Sequence, residues 1–297
     1  MMRRRFLAVS GSALLGHALS RTGSLQLTAE QESVSDLATI ERAVGGRLGV
    51  VALDVESGAR LAHRPAERFP MCSTFKWLLA AQVLARADSH DEDLDRIIHY
   101  GPGDLLEYAP ITRQHVGDGG MTVSALLEAA VEYSDNTAAN LLLATVGGPS
   151  ALTAFLRHIG DRVTRVDRVE PDLNSAIPGD LRDTTTPEAM AADLRVILLG
   201  NALTTSSRDR LTGWLERNTT GGERLRAGFP TTWRVGDKTG TGSNGSTNDV
   251  AVVWPASDSP ALIAAFLTQT RAAAVDRNAA LAQVGRFTAA WIARARR

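Results

Sequence analysis

Thr232-Trp233-Arg234-Val235-Gly236-Asp237-Lys238, followed by Asp249-Val250-Ala251-Val252-Val253-Trp254 and Ala261-Leu262-Ile263-Ala264-Ala265-Phe266-Leu267-Thr268, decides the fold. Three short runs, the second and third rich in Val, Ile, Leu and Ala, parted by Gly, Asn, Ser or Pro, predict three strands joined by turns. The same pattern recurs near the start of the chain. Arg47–Asp54 and Ala59–His63 flank Glu56-Ser57-Gly58 and predict a hairpin. Ahead of it, Val34, Leu37, Ile40 and Val44 recur at helical spacing within Ala29–Val44, and a last helix covers about Asp276–Arg294. Between the two groups of strands the pattern is helical: Phe75–Ala87, Val123–Glu132, Asn136–Thr145, Leu152–Ile159 and Pro187–Leu198. The fold class is therefore α+β, with an antiparallel five-stranded sheet drawn from both termini, flanked by helices, and an inserted all-helical lobe. Residues 27–64 plus 210–297 are expected to form the sheet-bearing lobe and 65–209 the helical one, with a cleft between them. Arg165–Thr185, with Pro171, Pro178 and Gly179, fits neither period, and loops of that length in a compact domain are usually functional.

The chain has 297 residues, 44% of them hydrophobic and 22% charged, with a net charge of −1. It can bury a substantial core, and its charge gives no reason to expect nucleic acid or an anionic membrane as partner. No segment after the N-terminus is long and apolar enough to span a bilayer. Arg3-Arg4-Arg5-Phe6-Leu7 and the mildly apolar Ala8–Leu19 predict an export signal over residues 1–20, with the spacing of a twin-arginine signal. A monomer, periplasmic or secreted and free of the membrane after signal removal, is the expected form. Cys72 is the one cysteine, so no intramolecular disulfide can form, and a packing role is expected for it.

Of the 32 basic residues only Lys76 and Lys238 are lysines. Arginine stays protonated in proteins, whereas a lysine ammonium is compact and its pKa moves on burial, so these two suit tasks closed to arginine. Ser73 precedes the helix that begins near Phe75, and Lys76, three residues on, lies on its face; a serine hydroxyl needs such a neighbour to become nucleophilic. Ser134-Asp135-Asn136 leads into a helix and, read alone, is a helix cap. Lys238-Thr239-Gly240-Thr241 follows a strand and puts a cation, two hydroxyls and a glycine on an edge, where a carboxylate could bind; read alone it is a strand end. Glu170-Pro171-Asp172-Leu173-Asn174 puts a carboxylate and an amide four residues apart, enough to hold and deprotonate a water; read alone it is a solvated loop.

In this order and spacing the four motifs resemble the class A β-lactamases over roughly residues 33–293. Tyr108-Ala109-Pro110 and the pair Arg168 and Asp183 extend the likeness. The resemblance implies a serine hydrolase that opens the β-lactam amide of penicillins and cephalosporins in two steps, conferring resistance, with no cofactor and no metal. It implies Ser73 as nucleophile and the backbone N–H groups of Ser73 and Thr241 as oxyanion donors. Ser134, assisted by Lys76 and Lys238, relays a proton to the leaving nitrogen. Lys238, Thr239, Gly240 and Thr241 bind the substrate carboxylate edge, Asn136 binds the side-chain amide, and Tyr108 belongs to the same substrate site. Glu170 and Asn174 hold the hydrolytic water, and Arg168 with Asp183 clamps the loop that carries them. Whether Lys76 or Glu170 accepts the first proton stays open. Some members bridge the cysteine before the nucleophile to one two residues past Lys-Thr-Gly; here that partner position is Gly242. The arginine that assists carboxylate binding is absent at Thr247 and has its alternative place at Arg224. Trp77, bulky and directly after Lys76, has no account from sequence. A transpeptidase would share the serine and lysines but lack the Glu170/Asn174 pair, and a β-lactam sensor would follow a membrane span. The six histidines are scattered without zinc-ligand spacing.

Overall fold

Apolar residues on both faces of three long strands, Arg47–Asp54, Thr247–Trp254 and Ala261–Thr268, make the centre of the sheet. In the computed structural model, which describes residues 29–255 and 259–297, five strands lie in one antiparallel sheet. They are β1 (Arg47–Asp54), β2 (Arg60–His63), β3 (Arg234–Thr241), β4 (Thr247–Trp254) and β5 (Ala261–Thr268), in the order β2-β1-β5-β4-β3. The export signal expected at residues 1–20 lies outside the described residues. Val51 pairs with Ala264 and Leu262 with Val252, which places Val51, Leu262, Ala264, Val250, Val252 and Phe266 on one face. Leu48, Val50, Ala251, Val253 and Ile263 bury the other. A one-residue slip of any strand would exchange these sets, so both faces fix the register. β3 begins two residues later and ends three residues later than its sequence pattern predicts. The ladder to β4 continues through the polar Lys238-Thr239-Gly240-Thr241, which no apolar period marks.

The helices are α1 (Ala29–Val44), α2 (Phe75–Asp88), α3 (Val123–Glu132), α4 (Asn136–Val146), α5 (Pro149–His158), α6 (Pro187–Leu198), α7 (Thr205–Glu216), α8 (Leu225–Gly228) and α9 (Ala274–Ala295). Leu37 of α1, Leu225 of α8, and Leu281, Val284 and Ile292 of α9 cover one sheet face. α2 to α7 and the opposite face share a second core around Trp77, Leu126, Leu142, Met190 and Phe266. α2 is the axis of that core: every residue from Phe75 to Leu84 is buried, as befits a helix surrounded by protein on all sides. Trp77 thereby gains an explanation, since the position after Lys76 faces packed helices and not solvent. α5 starts three residues before its apolar pattern, because Pro149 occupies the first turn, where a missing N–H costs nothing. Among the described residues, no single helix is long and apolar enough to cross a membrane.

Arg165–Thr185 holds one 3-10 turn, Asp172–Asn174, and returns to the body through a two-residue ladder that pairs Phe69 with Thr185 and Pro70 with Thr184. That ladder delivers the loop beside the turn Cys72–Thr74, which leads directly into α2.

Candidate active site

Ser73 sits in the 3-10 turn Cys72–Thr74, with Cys72 held at φ 46° so that the chain can turn sharply from Met71 into α2. β3 runs close alongside. A Cβ on Gly240 would stand 2.6 Å from the carbonyl oxygen of Met71, so the third residue of Lys-Thr-Gly must be glycine for strand and turn to approach. Gly242 is equally confined, by the carbonyl of Asn174 and the Cys72 sulfur. Burial, with Glu170 nearby, pushes the Cys72 thiol up to about 12, which agrees with a packing role.

The Ser73 hydroxyl donates to Glu170 Oε1 at 3.1 Å. Lys76 does not use its ammonium on Ser73. Its Nζ donates to the Ser134 carbonyl at 2.8 Å and to Asn136 Oδ1 at 2.6 Å, and pairs with Glu170 Oε1 at 3.0 Å. Both members of that ion pair are fully buried. Burial pushes the Lys76 ammonium down from its ordinary pKa while the Glu170 carboxylate pulls it back up. Lys238 donates to Ser134 Oγ and to its neighbour's carbonyl, Thr239 O, both at 3.0 Å. Its pKa is pushed well down by burial, and further by the charge of Lys76.

Ser134 lies between the two lysines in the left-handed region, φ 58°, an unusual conformation for serine. Asp135, next to it, caps α4 by accepting from Ala138 N and also accepts from Ile111 N, Thr112 N and the Thr112 hydroxyl. The helix-cap reading of Ser-Asp-Asn therefore holds for its middle residue, while the flanking two face the lysines. Asn136 N donates to Tyr108 O, and the half-exposed Tyr108 donates from its hydroxyl to Tyr133 O.

On the loop side, Asn174 Nδ2 donates to Glu170 Oε2 at 2.5 Å. Arg168 Nε pairs with Asp183 Oδ2 at 2.5 Å, and Asp183 Oδ1 accepts the backbone N–H groups of Asp167 and Arg168. Asn140 is a position the sequence reading missed. One turn beyond Asn136 on α4, it accepts from Glu170 N and donates to Glu170 O, both at 2.9 Å, gripping the backbone of the carboxylate's own residue. Its i,i+4 spacing from Asn136 on a helix that begins inside a motif was the signal available.

Arg224 is buried. Its guanidinium donates to Gly240 O, Asn248 O, Thr241 Oγ1 and Asn278 Oδ1. A cavity of about 350 Å³ gathers Ser73, Tyr108, Ser134, Asn136, Asn174, Arg224, Thr239, Gly240 and Thr241. Thr220, absent from the sequence reading, lines it too. Lys76, Glu170 and Lys238 lie directly beneath, while Arg168 and Asp183 stay in the loop's base. A buried acid, a serine that already donates to it, two ammonium groups and a shared hydroxyl suit acyl transfer through a covalent intermediate.

Comparison with known proteins agrees with this chemistry. Residues 32–292 match the family described as the β-lactamase enzyme family. The chain is 49% identical to β-lactamase L2 of Stenotrophomonas maltophilia, across 97% of this chain and 98% of that protein. It is 47% identical to β-lactamase CTX-M-8 of Citrobacter amalonaticus, across 89% and 91%. Among solved structures, an ancestral (GNCA) class A β-lactamase superimposes with a TM-score of 0.86 at 59% identity, covering 87% of this chain and 99% of that one.

Proposed function

This chain belongs to the class A β-lactamases, hydrolases that act on cyclic amides, and we propose that it opens penicillins and cephalosporins through an acyl-enzyme on Ser73. The observation that carries the residue assignment is the Ser73–Glu170 hydrogen bond, with Lys76 bound to the same carboxylate oxygen. In this reading Glu170 accepts the Ser73 proton as Oγ bonds to the lactam carbonyl carbon. Lys76 stays charged and holds the carboxylate in place. The C–N bond then breaks, the ring nitrogen takes its proton from Ser134, whose hydroxyl Lys238 contacts, and the proton held on Glu170 returns to Ser134 by way of Lys76, so that Glu170 is a carboxylate again. Water deprotonated by Glu170, with Asn174 beside it, attacks the ester and releases Ser73. Thr239 and Thr241, with Lys238 behind them, face the substrate carboxylate, and Asn136 faces the acylamino group. Asp183 and Arg168 keep the Glu170 loop in register.

The loop geometry supports a hydrolase over a transpeptidase or sensor, because Glu170 is anchored at backbone and side chain within reach of the ester. In the same reading, residues 27–64 plus 210–297 and residues 65–209 form the two lobes, and the protein acts as a monomer after twin-arginine export to the periplasm. A chromogenic cephalosporin should be turned over many times per enzyme. With Glu170→Ala, acylation should slow but remain measurable, with Lys76 left to assist Ser73, while deacylation slows more, so the acyl-enzyme accumulates, seen as added mass on the intact protein. Unchanged steady-state turnover in that variant would remove Glu170 from the path.

A further inference from the structure

The hydroxyl network behind Thr239 has a determined proton direction. Arg226 donates to Asp237 Oδ1 from both Nε and Nη2, and Asn218 Nδ2 donates to Asp237 Oδ2 at 2.6 Å. At its other end Asn218 Oδ1 accepts from Thr220 N at 3.1 Å and lies 2.8 Å from Thr220 Oγ1. A backbone N–H can only donate, so the Asn218 amide cannot be reversed: its oxygen faces Thr220 and its NH₂ faces the carboxylate. That oxygen carries no hydrogen, so the Thr220 hydroxyl proton must point at it. Thr220 has one proton, and towards Thr239 its oxygen can then only accept. The contact between the two hydroxyls, 2.5 Å, is therefore made by the Thr239 proton.

This arrangement conflicts with the task assigned above to Thr239, on which the inference rests. A hydroxyl that has given its proton to Thr220 offers only lone pairs to the cavity, and lone pairs repel a carboxylate. To meet an anion, Thr239 must break its bond to Thr220 and turn its proton into the site. We propose that Thr220 is a specificity-determining residue of the carboxylate end of the cavity, holding back the Thr239 proton so that a ligand's negative charge must recover it. Thr220 lines the cavity and touches Thr239, so its effect reaches a ligand through that hydroxyl. A ligand whose carboxylate is replaced by a neutral ester has a weaker claim on that proton and depends less on residue 220.

The test compares benzylpenicillin with its methyl ester on the wild type, Thr220→Val and Thr220→Ser. Valine keeps the shape and removes the acceptor, while serine keeps the acceptor. For Thr220→Val, KM for benzylpenicillin should fall about threefold to tenfold, the range that one net hydrogen bond gives, with kcat little changed. KM for the methyl ester should move by less than about twofold, and Thr220→Ser should behave as wild type. A rise in KM for benzylpenicillin with Thr220→Val would overturn the inference, because it would make Thr220 a simple support for the Thr239 rotamer. An equal fall for acid and ester would overturn it as well. If the wild type turns over neither compound, the hydrolase reading fails instead, so the two failures are told apart.

Discussion

Lys76 and Lys238 are both fully buried, both lie beside Ser134 and both have pKa values pushed down by burial, yet their surroundings differ in kind. Lys76 has a carboxylate at 3.0 Å, an amide oxygen and a carbonyl, so its charge is balanced inside the protein. Lys238 has a hydroxyl and a carbonyl as hydrogen-bond partners, and among the described residues no carboxylate pairs with it within 4.0 Å. Isolated charge is costly to bury, and a charge left without its counter-ion favours an anion that arrives from outside. One region of the cleft is finished in the free enzyme; the other is completed by substrate.

The contrast can be broken from either side. Lys76→Ala should have the largest effect, because it leaves the Glu170 carboxylate buried without its cation. We expect kcat to fall by about 10²- to 10⁴-fold, the range that general acid–base catalysis supplies, because Glu170 loses the cation that holds it as a base. A kcat within tenfold of wild type would show that Glu170 does not depend on Lys76. Lys238→Ala should act mainly on kcat/KM, by about 10- to 100-fold, and more strongly for substrates with a carboxylate than for their esters. Its pH dependence sharpens the comparison. Burial lowers the Lys238 pKa, so the cationic form is lost as pH rises sooner than for an exposed lysine, and binding of the carboxylate weakens on the alkaline side. Lys238→Ala should lack that alkaline loss; an identical alkaline limb in the variant would assign it to another group. The smallest effect is expected from Asn140→Ala, which removes two hydrogen bonds to Glu170. It should cost about 1–3 kcal/mol of stability, read as a lowered Tm, together with a modest fall in kcat.

The sheet was legible in the sequence because its strands alternate between two buried faces, and α1, α3 and α6 because their apolar residues recur at one turn. α7 was not, since Thr205–Glu216 buries only Ser207, Leu211, Trp214 and Leu215 and carries Gly213 within it, too sparse a stripe to show a period. The two-residue ladders at Phe69–Pro70 and Thr184–Thr185 are shorter than any alternation. Ser73, Lys76, Glu170 and Lys238 could be found because each stands in a local motif. Asn140 had only its i,i+4 spacing from Asn136 to mark it, and Asn218 and Thr220 had no motif, because what they hold, Asp237 and Thr239, lies nineteen residues along the chain. Spacing carries no record of such pairings. Arg224 was ambiguous for the same reason: only the folded sheet reveals the carbonyls of Gly240 and Asn248 waiting for its guanidinium.

The pairing of β1 with β5, Arg47 opposite Thr268, has a consequence in time. While the chain is being synthesised, its first strand has only a hairpin partner until residues near the far terminus leave the ribosome. Neither sheet face can close over its core before then, because β5 is the strand that joins the hairpin of β1 and β2 to the pair β3 and β4. Closure of the sheet is therefore a late event, slow in the way that pairings between distant segments are slow.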